Sequence, residues 1–100
     1  MLQVMKVTGE SLSPFFETGD YVLIVKAPFL LRSLHPGDIL VFRHPVYGVM
    51  IKRLEQVSPD GAEFYLLGTH PESTDSRQFG PVARKNIIGK VIWHISRSGK

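Results

Sequence analysis

The sequence contains no cysteine, which excludes disulfide bonds, thiolate metal sites and a cysteine nucleophile. It also lacks a long hydrophobic run, because the longest, at residues 21–25, is far short of the ~20 residues that span a bilayer. Residues 1–6 show no basic segment leading into an apolar stretch, so no secretory signal is expected. These absences predict a cytoplasmic protein without a membrane anchor, whose chemistry depends on serine, threonine, lysine, histidine or carboxylates.

The sequence also has little excess of either charge. Twelve Lys and Arg against nine Asp and Glu leave a net charge of +3, and only residues 84–100 resemble a basic face. Nucleic-acid binding, as by a small basic β-barrel, is therefore a weak alternative. With 43% hydrophobic and 21% charged residues, the chain has enough apolar surface to fold. We predict one domain over residues 1–100.

Nine glycines and seven prolines divide the chain into short apolar segments rich in Val, Ile, Phe and Tyr, a pattern typical of β-strands. We predict strands at residues 3–7, 21–26, 39–43, 49–57, 63–67 and 88–95. Residues 44–48 and 58–61 contain the Pro and Gly of hairpin turns. The polar segments 8–19 and 68–81 are longer than hairpins require, and long loops often carry function.

One lysine falls on an apolar face of the predicted strand 49–57. Side chains alternate along a strand, so Met50, Lys52 and Leu54 share a face. If that face is buried, loss of water favours the neutral amine and lowers the pKa of Lys52. The alternative is that the side chain lies along the sheet and its ammonium group reaches water.

A small-residue turn, Gly9-Glu10-Ser11-Leu12-Ser13-Pro14, could present a serine hydroxyl at the end of a strand. A serine needs a base to become a good nucleophile, and the candidates are Lys52 and four histidines. No histidine shows a spacing that pairs it with a carboxylate or a metal, although a Ser-His-Asp triad needs no adjacency in sequence. Ser11 or Ser13 could equally cap a helical turn.

Four segments occur in the order found in type I signal peptidases, and the match to that family covers nearly the whole chain. They are Gly9-Glu10-Ser11-Leu12-Ser13-Pro14, the pair Gly19-Asp20-Tyr21-Val22-Leu23 and Gly37-Asp38-Ile39-Leu40-Val41-Phe42, Ile51-Lys52-Arg53, and Ser73-Thr74-Asp75-Ser76-Arg77-Gln78-Phe79-Gly80. The sequence therefore resembles that family of serine peptidases. Within it, His44-Pro45 before the lysine strand and Ser-Thr-Asp-Ser-Arg after it resemble the soluble nickel-type superoxide dismutase maturation peptidases.

The resemblance implies a mainly β domain, a coiled antiparallel sheet forming a partly open barrel, as in signal peptidases and LexA. It implies a Ser/Lys dyad in which Ser11 is the nucleophile, Lys52 the neutral base and Ser73 the group that orients the amine. Gly9 and the backbone N–H of Ser11 would lie at the oxyanion turn.

The resemblance also implies two supporting groups of residues. The first is a structural ion pair near Lys52, formed by Asp75 and Arg77 with Arg53 close by. The second is an apolar substrate groove formed by Leu12, Phe15 and Phe16.

The implied activity is that of an endopeptidase that removes an N-terminal propeptide from a protein precursor, for this subfamily the nickel superoxide dismutase precursor, without a metal or cofactor. Three departures from the family pattern are Leu12, where methionine is usual, Gly9, which has no hydroxyl, and Thr69-His70, where an Asp-Asn pair is common. The alternatives are a LexA- or UmuD-like Ser/Lys domain that cleaves itself and an inactive peptide-binding module on the same fold. The sequence does not predict the oligomeric state.

Overall fold

The computed structural model describes residues 2–6, 19–26, 34–68 and 74–95. These residues form seven strands and one short helix, with a single 3₁₀ turn at Arg84–Asn86. The elements are β1 (Leu2–Lys6), β2 (Tyr21–Lys26), β3 (Ile39–His44), β4 (Gly48–Val57), β5 (Glu63–Leu67), α1 (Ser76–Phe79), β6 (Val82–Ala83) and β7 (Ile87–Ile95). The prediction of a mainly β, antiparallel fold is confirmed.

The described strands form one sheet in the order β1-β2-β7-β3-β4-β5-β6, and every neighbouring pair is antiparallel. Strand β7 lies between β2 and β3, so it joins the first two strands to the rest of the sheet. Strands β1 and β6 lie at opposite edges of this order, so the sheet is open over the described residues.

Register shifts between β2 and β7, between β3 and β7, and between β4 and β5 bend the sheet, as β-bulges do. At Gly89 on β7 an added Cβ would lie 2.5 Å from the carbonyl oxygen of Val25. Only glycine allows β7 and β2 to approach so closely.

The six predicted strands are present, with bounds that differ by a residue or two, and both predicted hairpins join their strands. Sequence patterns missed α1 and β6. The four-residue α1 is too short to show helical periodicity; Asp75 caps its start and Gly80, with a φ of 82°, ends it. The two residues of β6 become a strand only by pairing with Glu63 and Phe64 of β5.

Two apolar clusters lie on opposite sides of β3. The larger contains Leu40, Phe42, Leu54, Phe64, Leu66, Val82 and Ile87. The smaller contains Val22, Ile24 and Val41. Because neighbouring residues on β3 enter different clusters, this strand is buried on both faces. Lys52 shares the β4 face that contributes Leu54 to the larger cluster.

Candidate active site

Lys52 lies in the middle of β4 with its side chain fully buried. It pairs with Leu40 of β3, and Leu54 lies two residues away on the same face. The interpretation that its ammonium reaches water is wrong, because Nζ has no contact with solvent. Leu40 on one strand of the hairpin and Leu54 on the other, both members of the larger apolar cluster, therefore lie beside Lys52.

The amine of Lys52 has no hydrogen-bond partner among the residues that the structure describes. Burial lowers the pKa of Lys52 from 10.5 to about 8; Asp75 opposes this change and Arg77 adds to it. At pH 7 roughly one molecule in ten then holds a neutral amine with a free lone pair. Such a group accepts a proton at a pH where an exposed lysine would not.

Asp75 is the opposite case, a fully buried carboxylate that accepts hydrogen bonds from Arg77 and Gly68. Its Oδ1 accepts hydrogen bonds from the backbone N–H and the Nε of Arg77, both at 3.0 Å. Its Oδ2 accepts from Nη2 of Arg77 at 2.7 Å and from the backbone N–H of Gly68 at 2.9 Å. The carboxylate raises the pKa of the Arg77 guanidinium, so both members of the pair stay charged.

The segment that carries this pair is attached to the edge of β5 beside Lys52. Leu67 of β5 pairs with Arg53, so Gly68, the next residue, continues toward the level of Lys52. The Gly68 amide donates to Asp75, and the Leu66 amide donates to Oγ of Ser76 at 2.9 Å. The side chains of Asp75 and Ser76 thus accept hydrogen bonds from one amide of β5 and from the residue that follows it, and so hold α1 next to this end of β5.

The structure brings together Lys52, Asp75 and Arg77 of the predicted site. It does not bring Arg53 to the ion pair: Arg53 follows Lys52 on β4, its side chain takes the other, exposed face, and it forms no ion pair in the described part of the chain. The remaining predicted residues lie outside the described residues, so their roles stay predictions. They are Gly9, Ser11, Leu12, Phe15, Phe16 and Ser73.

Sequence reasoning missed one contact between a histidine and a carboxylate. Nε2 of His94 on β7 lies 2.7 Å from Oδ2 of Asp20, which is buried just before β2. Among the described histidines, it alone has its ring within ion-pair distance of a carboxylate. The two residues are 74 positions apart, and no local pattern links them.

Comparison with known proteins identifies the family. The profile of the Peptidase S24-like family matches residues 2–92. The chain belongs to the Peptidase S24-like family. This S24-like chain is also similar to signal peptidase I V of Bacillus subtilis (strain 168), at 26% identity over a 136-residue alignment that covers 86% of the chain and 81% of the relative.

Both matches support a serine peptidase, a hydrolase that acts on a protein substrate. In the S24-like chain, no helix within the described ranges is long and apolar enough to cross a membrane. The buried amine of Lys52, which has no hydrogen-bond partner among the described residues, lies in a chain whose family carries out peptide hydrolysis.

Proposed function

We propose that this S24-like chain is a Ser/Lys endopeptidase in which Ser11 is the nucleophile and Lys52 the general base. The observation that carries the proposal is Lys52, a fully buried amine with no partner in the described part of the chain and a pKa of about 8. A lysine retained for structure would have its charge paired or hydrogen-bonded, because an unsatisfied buried charge is strongly destabilising.

The proposed reaction begins when neutral Lys52 takes the proton from the hydroxyl of Ser11 as its Oγ attacks the scissile carbonyl carbon. The C–N bond then breaks, and Lys52 gives the proton to the departing amine. Water attacks the acyl-enzyme with the same lysine as base, which releases the new carboxylate and restores the serine. Burial assists the return of the proton, because an ammonium group is disfavoured in apolar surroundings.

The remaining residues have supporting roles in this proposal. Ser73, two positions before the firmly held Asp75, orients the lysine amine. The backbone N–H of Ser11 at the Gly9 turn contributes to the oxyanion hole, and Leu12, Phe15 and Phe16 form the apolar lip of the groove. The Asp75–Arg77 pair fixes the segment that carries Ser73, a role supported by its attachment to Gly68. No step needs a metal or cofactor.

The substrate we propose is a protein precursor that loses an N-terminal propeptide. The resemblance to nickel-type superoxide dismutase maturation peptidases favours the precursor of that dismutase and a cytoplasmic location. The matched family and the Bacillus relative support the class of reaction without naming this precursor. A domain that cleaves its own chain would use the same dyad.

The proposal is tested by incubating the purified chain with purified nickel superoxide dismutase precursor and following the new N-terminus by mass spectrometry. We expect processing by the wild type and by the Ser13→Ala control, and none by Ser11→Ala. Processing by Ser11→Ala would overturn the assignment of the nucleophile. Cleavage of the peptidase chain itself in place of the precursor would favour the LexA- or UmuD-like alternative.

The Asp20–His94 contact favours a second candidate, in which a histidine paired with a carboxylate activates the serine. The pH profile of processing distinguishes the two bases. A rise governed by a group near 8 supports Lys52, whereas a pH dependence that disappears in His94→Gln supports the histidine.

A further inference from the structure

Helix α1 is attached to the sheet at both of its ends. At its start, Ser76 accepts a hydrogen bond from the β5 residue Leu66, and Asp75 accepts one from Gly68, which follows β5. At its end, the ring of Phe79 lies against an aromatic group on the β3–β4 hairpin, with ring centres 4.6 Å from His44, 6.0 Å from Tyr47 and 6.3 Å from Phe42. A helix of a single turn has little stability of its own, so these attachments determine where it lies.

The hairpin gives Phe79 a fixed surface to pack on. Nδ1 of His44 accepts hydrogen bonds from the backbone N–H groups of Val46 at 3.0 Å and Tyr47 at 3.3 Å. The two rings of His44 and Tyr47 are 4.8 Å apart. The turn itself therefore sets the orientation of the imidazole that Phe79 contacts.

The aromatic group lies on the face of the hairpin that carries Lys52. In the β3–β4 register, Leu40 pairs with Lys52, and Phe42 pairs with Met50. The Phe42 ring that Phe79 contacts is thus one row from the lysine, roughly 7 Å along the strand. Half-buried Phe79 packs against the larger apolar cluster and covers this end of it.

We propose that Phe79 is a positioning residue for Lys52: packed on His44 and Tyr47, it fixes α1 so that Asp75 stays bound at Gly68 and water stays away from the amine. The inference deepens the proposed function, on which it depends for the role of Lys52 as base. The position of α1 and the burial of the amine are properties of the folded chain and can be measured without substrate.

The decisive measurement is the titration of Lys52 by NMR in the intact chain with isotope-labelled lysine. The signal is assigned as the one missing from Lys52→Met. In Phe79→Ala we expect the pKa of Lys52 to rise from about 8 toward 10.5, because water enters above the amine. At pH 7 each unit of that rise lowers the neutral fraction, and with it kcat/KM, about tenfold.

Two variants serve as controls. Phe79→Tyr keeps the ring and should keep the wild-type pKa and kcat/KM. Trp93→Ala removes an aromatic side chain that is 64% exposed on β7 and belongs to no ring contact within the described part of the chain, so it should leave the titration of Lys52 unchanged.

The proposal is overturned if Phe79→Ala has a native spectrum and Lys52 still titrates near 8. If Phe79→Ala does not fold, Tyr47→Ala replaces it, because it removes a 54% exposed ring of the same group. A raised pKa then supports the proposal, and an unchanged one refutes it. A raised pKa in a chain whose wild type processes no precursor would support the positioning role while counting against the proposed function.

Discussion

Lys52 and Asp75 are both fully buried and ionisable, but they differ in their hydrogen-bond partners. Asp75 accepts hydrogen bonds from the backbone and guanidinium of Arg77 and from the Gly68 amide. Lys52 has no partner among the described residues, and apolar side chains flank it. A buried charge is strongly unfavourable unless it is paired, so the two groups solve the same physical problem differently.

Asp75 keeps its charge because donors replace water. Lys52 becomes neutral far more readily than an exposed lysine, because burial lowers the pKa of the amine to about 8. The first solution stabilises a segment of the chain, and the second leaves a reactive lone pair. Asp75 therefore holds the structure, whereas Lys52 is available for chemistry, and variants at the two positions test this difference.

The largest expected effect comes from removing the amine. Lys52→Met should lower the rate of precursor processing by at least roughly 10²–10⁴-fold, the usual contribution of a general base. Initial rates at fixed pH check this, and Lys85→Met, which removes an exposed lysine, should process normally. A Lys52→Met protein that retains near wild-type rates would remove Lys52 from the mechanism.

The second effect is on stability and its pH dependence. The pKa of Lys52 is about 8 in the folded chain and 10.5 without burial, so the penalty is complete below pH 8 and vanishes above 10.5. Lys52→Met should therefore be more stable than wild type by up to about 3 kcal/mol at pH 7. Urea unfolding from pH 7 to 11 should show wild-type stability gaining on the variant between those two values. If the unfolding free energies of the two proteins changed in parallel with pH, the assigned burial of the charge would be contradicted.

The smallest effects are expected at the Asp75–Arg77 ion pair, where substitution of the two partners should change the pKa of Lys52 in opposite directions. Asp75→Asn should destabilise the fold by about 1–3 kcal/mol, because buried donors lose a charged acceptor. It should also lower the pKa of Lys52, which Asp75 raises, whereas Arg77→Gln should raise it. Thermal unfolding and the lysine titration measure both. If the two variants move the pKa in the same direction, the pair does not act on Lys52 through charge.

Alternation along β4 was sufficient to predict the face of Lys52, because the period of a strand is local and fixed. The same argument predicted the strands bounded by Pro and Gly. The burial of that face depends on Leu40 of the neighbouring strand. From the sequence, the lowered pKa of Lys52 could therefore be predicted only on the condition that the face is buried.

Contacts between distant parts of the chain could not be predicted. Asp20 and His94 meet only because β7 pairs with β2. Phe79 reaches His44 only because α1 is attached to β5. Both contacts join residues that are far apart in the sequence, and neither composition nor periodicity predicts such contacts.

The position of β7 between β2 and β3 has a consequence for the order of assembly during synthesis. Strands β3, β4 and β5 are joined by short connections, so Lys52 can enter its apolar surroundings once these strands have emerged from the ribosome. Among the described strands, β1 and β2 connect to that half only through β7. The part that contains β1 and β2 therefore joins the strand that carries Lys52 only after residues 87–95 are made. In a nascent chain the described sheet would stay in two parts, with Lys52 in one of them, until β7 pairs with both.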